Sequence, residues 1–169
     1  RFTTLLSQKI INGHLRSLTS ENRADCFVID DSLYERSGFK RTELASKVFD
    51  HVSMRYKKGF RLLTLGWSDG NTFLPVNSCL MASSKESNII GPQKDFDKRS
   101  IAGKRRKLAQ MKATDTMLQL LDMATAQGIT ADYVLFDSWF SNPAQLTAIK
   151  SRGMDVIAMV KKSSRINYE

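Results

Sequence analysis

Cysteine is scarce, long apolar runs are missing, and acidic residues are in deficit. Cys26 and Cys79 are the only two cysteines, too few for a disulfide framework and without zinc-ligand spacing. A cystine-stapled secreted domain is thereby disfavoured, and a reducing compartment, the cytoplasm, is expected. No apolar stretch approaches the roughly 20 residues of a membrane span, so no membrane partner is expected. No signal-peptide pattern opens the chain. It begins with Arg1 rather than Met, and a piece of something longer is expected.

Acidic side chains number 17 against 26 Lys and Arg, a formal net charge of +9. Such a balance points to a polyanionic partner, because phosphate contacts release counterions and dominate nucleic-acid affinity. Solubility alone is the plainer explanation. The distribution favours the former: residues 94–112 hold eight basic and two acidic side chains, six of the nine net charges. At 169 residues the chain is long enough to bury a core of its own.

Hydrophobic periodicity organises the rest. Phe2, Leu5, Leu6, Ile10, Ile11, Leu15 and Leu18 recur at helical spacing, which predicts an amphipathic helix over 1–18 packed on a core or on an upstream domain. Residues 1–24 then read as a helix and linker ahead of a core over 25–169. Cys26–Ile29 is a short apolar strand that stops at Asp30-Asp31-Ser32. A helix is predicted over 42–52, with Leu44, Val48 and Phe49 on one side. Phe60–Trp67 and Thr72–Met81 flank Ser68-Asp69-Gly70-Asn71 and predict a β-hairpin, with an irregularity at Pro75. Residues 83–112 lack apolar periodicity and read as a long flexible basic loop. A helix over 114–127 ends at Gly128. Tyr133–Phe136 is a strand that runs into Asp137. Ser141 caps a helix over 143–151, and a strand over 155–160 follows. Strand, helix and strand with such short connections make a right-handed parallel βαβ unit.

Two apolar strands thus each run into an aspartate, Asp30 and Asp137, 107 positions apart. Ligands of open α/β sheets collect beyond strand ends at a switch in strand order. If the two strands are parallel neighbours, the carboxylates meet and require a hard cation such as Mg²⁺ between them. Divalent ions so held activate a nucleophile at phosphorus. Capping of turns by strand-end aspartates is the plainer reading of the same pattern.

The runs CFVIDDSLYERS, GFRLLTLGWSDGNTFLP and VLFDSWFSNP, followed by KSRGMDVIAMVKK, resemble bacterial insertion-sequence transposases of the DDE type. The similarity spans about Asp25 to Lys162. It implies an α/β fold: an RNase H-like mixed β-sheet flanked by helices, in the order α-β-(α)-β-β-α-β-α-β, with a β-rich insertion ahead of the catalytic Glu. It implies Asp30 and Asp137 as the first two catalytic, metal-binding acids, Mg²⁺ as cofactor with Mn²⁺ as a substitute, and hydrolysis at transposon ends followed by strand transfer. The implied partners are double-stranded transposon-end and target DNA, with a homodimer in the full-length protein, associated with the bacterial nucleoid. The family's third acid, a Glu within Tyr-x-x-Arg-x-x-x-Glu-x-x-x-x-x-x-Lys, has no match in this sequence, and Glu169 sits in a polar tail. The 169-residue chain is therefore expected to bind Mg²⁺ weakly and to cleave nothing alone.

Lys104, Arg105, Arg106 and Lys107 are the leading phosphate contacts, with Lys57, Lys58 and Arg61 beside the hairpin as further ones. Asp31 reads as a solvated turn acid, and Asp69 and Asn71 as turn chemistry. His51 reads as a surface or core residue rather than a base. Trp139 and Phe140 read as core packing, with base stacking as the minority view. The alternative function is a non-catalytic basic nucleic-acid-binding module with an α/β fold. A phosphatase-like α/β enzyme is disfavoured, because no Ser/Thr and Lys motifs follow Asp30.

Overall fold

The computed structural model of the chain describes residues 2–159. Helix α1 (Phe2–Ile10) continues through a wide π-type turn over Ile11–Leu15 and a 3₁₀ turn over Arg16–Leu18. Strands β1 (Cys26–Glu35), β2 (Ser46–Asp50), β3 (Arg55–Ser68) and β4 (Phe73–Met81) follow, then α2 (Ile101–Ala109), α3 (Ala113–Thr125), β5 (Tyr133–Phe136), α4 (Pro143–Lys150) and β6 (Asp155–Ala158). The six strands form one mixed sheet in the order β2-β3-β1-β5-β6, with β4 paired to β3. This is the helix-flanked mixed α/β sheet expected. Residue 160 of the last predicted strand, and Glu169, lie outside the described residues.

The chain divides into two compact units. The first comprises residues 2–30, 65–77 and 118–159 of those described. Its buried side chains include Phe27, Ile29, Trp67, Leu121, Val134 and Ile149, each contributing about 1.5–3 kcal/mol on burial for a residue of Val, Leu or Phe size. Arg16 fastens the end of the helical segment: it donates to Asp25 at 2.6 Å and to the Thr130 carbonyl at 2.6 Å. Burial pushes the Asp25 carboxyl up, and the Arg16 guanidinium partly offsets this. The face of α1 differs from expectation. Thr4, Ser7 and Ile11 are buried, whereas Phe2, Leu5 and Leu6 are exposed. Small polar residues let the helix approach closely, and the Ser7 hydroxyl donates to the carbonyls of Thr3 and Pro75 at 2.9 and 2.8 Å.

Asp69 closes the hairpin as its sequence position implied. One carboxyl oxygen accepts from the N–H groups of Asn71 (3.0 Å) and Thr72 (2.6 Å), and the other from the Thr19 hydroxyl at 2.8 Å. The Thr72 N–H, with lesser help from Asn71 and Thr19, holds this carboxyl below its ordinary value. A depressed carboxylate stabilises the fold above its unfolded pKa and loses that contribution as pH falls through the folded one. Asp69→Ala should cost about 1–3 kcal/mol at neutral pH. Urea melts at pH 7 and pH 3 should then show a smaller acid loss in the variant than in the native chain.

The second unit comprises residues 31–64 and 78–117. Leu44, Ala45, Phe60 and Ala82 form its core, with Phe39, Ile89 and Ile90 packed on them. The helix expected over 42–52 is instead strand β2. Ser46–Asp50 pairs antiparallel with Arg55–Gly59, and the Asp50 carboxylate accepts from the N–H groups of Val52 and Ser53 across the turn. Val48 and Phe49 favour strand, and the spacing of Leu44 and Val48 fits a helix only by coincidence. Gly59 stands where β3 runs close against β1: a Cβ there would lie 2.0 Å from the Tyr34 carbonyl oxygen.

The expected loop over 83–112 also needs correction. Residues 101–109 are helix α2, started by Ser100, whose hydroxyl accepts from the Gly103 N–H at 3.0 Å. The Ala82 N–H donates to the Ala109 carbonyl at 2.8 Å, tying the far end of α2 to the strand end.

Candidate active site

Within the first unit, β1 pairs parallel with β5, and β5 with β6. The expected βαβ unit is present: α4 joins β5 to β6, capped by Asn142 rather than Ser141, the Asn142 side chain accepting from the Gln145 N–H at 3.2 Å. The register aligns Val28 with Leu135 and Ile157, then Ile29 with Phe136 and Ala158. Side chains alternate between faces along a strand. Phe27, Ile29, Val134 and Phe136 are buried on one face, whereas Val28 and Leu135 are half-buried and Ile157 is 54% exposed on the other.

Asp30 follows Ile29 and Asp137 follows Phe136, so the two acids take the next position on adjacent parallel strands, on the open face. Neighbouring strands lie about 4.8 Å apart, a spacing that brings two carboxylates within reach of one ion. Both acids are exposed and line one pocket of about 590 Å³ together with Val28, Leu135, Ile157 and Met159. One expectation changes: β1 does not stop at Asp30 but runs on to Glu35. Strand β3 borders β1 on its other side, and the Arg36 N–H still donates to the Lys58 carbonyl at 2.8 Å, which keeps the chain extended. Asp137, by contrast, stands just beyond the end of β5. One of its oxygens accepts the Trp139 N–H at 2.8 Å, which restrains the carboxyl. Phe140 anchors that turn, 1% exposed and edge-on to Phe136 at 6.3 Å. Trp139 is 50% exposed, so only Phe140 of this pair is core.

Two exposed carboxylates are hard oxygen donors, a set that suits Mg²⁺, which takes one or two protein carboxylates and completes its octahedron with water and phosphate oxygens. Among the described residues no group of three or more His, Cys, Asp or Glu forms a metal cage. The donor set therefore fits a divalent ion held openly between Asp30 and Asp137.

The basic candidates lie on two elements of the second unit. Arg61 is engaged by Asp31 and by the Phe49 carbonyl at 3.1 Å, so Asp31 is an ion-paired strand residue rather than a solvated turn acid. Lys57 pairs with Glu35 at 3.3 Å, and the Lys58 ammonium lies 4.4 Å from the Phe39 ring centroid. On α2, Lys104, Arg105 and Lys107 are exposed, whereas Arg106 is half-buried and forks onto Glu43. His51 is exposed in the β2–β3 turn, its ring 5.0 Å from Phe49. The Trp139 N–H bond and the Glu43 partner escaped sequence reasoning, since neither has a spacing signature; the open row of Val28, Leu135 and Ile157 was legible only in strand parity.

Two neighbouring parallel strands of an α/β sheet thus carry a pair of exposed carboxylates at adjacent positions on its open face. The chain belongs to the DDE superfamily endonuclease family, whose model matches residues 4–167. No curated protein matches it in sequence. Among solved structures it is similar to a chain of the cryo-EM structure of a piggyBac transposase synaptic complex with hairpin DNA, at 12% identity and a TM-score of 0.46. The likeness covers 84% of this chain and 24% of that one.

Proposed function

We propose that this chain carries the first two metal ligands of a DNA transposase of the insertion-sequence type, acting on DNA in the bacterial cytoplasm. The observation that supports this best is the placement of Asp30 and Asp137, 107 residues apart, at neighbouring positions on parallel strands. These two side chains would hold Mg²⁺, or Mn²⁺ in its place, and the ion would supply Lewis-acid stabilisation of charge at phosphorus. The reaction is hydrolysis at the transposon end: water attacks phosphorus, the P–O3′ bond breaks, and a 3′-hydroxyl is released. That hydroxyl then attacks a target phosphate and displaces its 3′ oxygen. The Trp139 N–H keeps Asp137 aimed, and the buried Phe27 and Ile29 hold β1 in register beneath Asp30. Two carboxylates alone hold such an ion weakly, because water fills its remaining coordination positions. Two copies of the complete protein bridge a pair of transposon ends.

Double-stranded DNA is held by exposed cations of α2. Replacing Lys104, Arg105 and Lys107 together by Gln leaves up to three phosphates without a partner cation. The salt dependence of duplex binding should flatten by roughly 0.9 in log–log slope for each such phosphate, equally for all DNA sequences. Binding isotherms across a salt series check this, and an unchanged slope would refute α2 as the phosphate-binding element.

A further inference from the structure

Arg106 differs from its basic neighbours in what surrounds it. Its guanidinium forks onto Glu43, with Nε 2.6 Å from one carboxyl oxygen and Nη2 on the other, and Nη1 donates to the Ala102 carbonyl at 2.9 Å. The central carbon of the same guanidinium lies over the Phe96 ring, 3.3 Å from its centroid. A fork held at all three nitrogens is rigid, so the ring it backs is held in place as well. Phe96 is nevertheless 38% exposed, and it lines a pocket of about 630 Å³ together with Lys94, Lys98 and Lys107. That volume falls within the roughly 300–1,000 Å³ of ligand sites. Leu44, also in the pocket wall, keeps a left-handed backbone (φ 58°) next to Glu43, a conformation uncommon outside glycine and concentrated at functional sites.

Two carboxylates also line the pocket, Glu43 engaged by Arg106 and Asp95 beside Phe96, so the three lysines leave it net positive. An aromatic face backed by a guanidinium and flanked by lysines is the equipment that single-stranded nucleic acid requires. Bases stack on the ring without regard to sequence, and ammonium groups track the phosphates. A duplex keeps its bases stacked on one another and offers no free face to Phe96. We propose that this pocket binds single-stranded DNA, with one base on Phe96 and the flanking phosphates on Lys94, Lys98 and Lys107. The proposal rests on the nucleic-acid half of the functional reading and not on the metal held by Asp30 and Asp137.

Fluorescence anisotropy with labelled dT12 and a 12-bp duplex, in EDTA, tests it. Phe96→Ala should weaken dT12 binding roughly 5- to 150-fold, the range of one base stack, and change duplex binding less than twofold. Phe96→Trp should keep dT12 affinity, and dT12 should quench its emission beyond the quenching seen in the native chain. The Trp variant decides the matter if Phe96→Ala fails to fold. Unchanged dT12 binding in Phe96→Ala, equal losses for both DNAs, or no added quenching in Phe96→Trp would overturn the proposal. Asp30→Asn with Asp137→Asn should bind dT12 as the native chain does, so a failed metal site and a failed pocket give different results.

Discussion

Asp30→Asn and Asp137→Asn should each weaken Mg²⁺ and Mn²⁺ binding at least tenfold, about 1.4 kcal/mol, and the double variant should abolish it. The reason is the sparseness of the donor set. With two protein carboxylates in an open site, each supplies half of the negative charge that offsets dehydration of the ion, and neither loss is made up by the other. Asn keeps a carbonyl oxygen at nearly the same place, so the change reports charge rather than shape. The same substitutions should leave the fold intact or slightly firmer. Both side chains are exposed, and like charges on neighbouring strands destabilise by a few tenths of a kcal/mol. Isothermal titration of the ion together with urea melts reads both quantities. Loss of affinity with stability unchanged or raised marks a functional pair; unchanged ion binding in both variants would mark side chains that only cap turns.

The largest effect on stability is expected from Phe27→Ala, about 3–5 kcal/mol. Phe27 is wholly buried and aligned with Val134 across the β1–β5 pair, so truncation leaves a cavity under the strand that presents Asp30. Against a typical total of about 5–15 kcal/mol, that is a fifth of the stability or more. Val28→Ala is the matched comparison. Val28 neighbours Phe27 on the half-buried open face, and its truncation should cost below about 1.5 kcal/mol. Urea midpoints of the two variants check the difference, and equal losses would mean that the core face of β1 has been assigned to the wrong parity.

The β5–α4–β6 half was legible because each element there is specified locally. Tyr133–Phe136 is apolar throughout, Pro143 and Gly153 bracket a helix, and the connections are too short for anything but a parallel βαβ unit. The positions of Asp137 and Asp30 after buried residues of neighbouring strands follow from the same logic of an apolar run meeting an acid. The second unit was not legible for an equally physical reason. Leu44, Val48 and Phe49 satisfy a helical stripe, yet pairing with Arg55–Gly59 decides the outcome, and that partner is a matter of tertiary structure. Helix α2 has no apolar stripe to read; it is secured by the Ser100 cap and by the fork of Arg106 onto Glu43, 63 residues away. Arg61 looked like a phosphate contact because its partner Asp31 lies 30 positions off. Charge shows in sequence, but whether it is already paired does not. Along the first helix the apolar stripe is legible, but only Ile11 of it is fully buried while Phe2, Leu5 and Leu6 are exposed, since the small hydroxyl residues Thr4 and Ser7 give the closer fit to the core.

The most direct test is a crystal structure of the chain grown with Mn²⁺, with the ion located by its anomalous signal. One peak per chain should lie between Asp30 and Asp137, coordinated by an oxygen of each at roughly the 2.0–2.1 Å typical of Mg²⁺ or slightly longer. A peak bound elsewhere, or carboxylates too far apart to share an ion, would contradict the two-aspartate site.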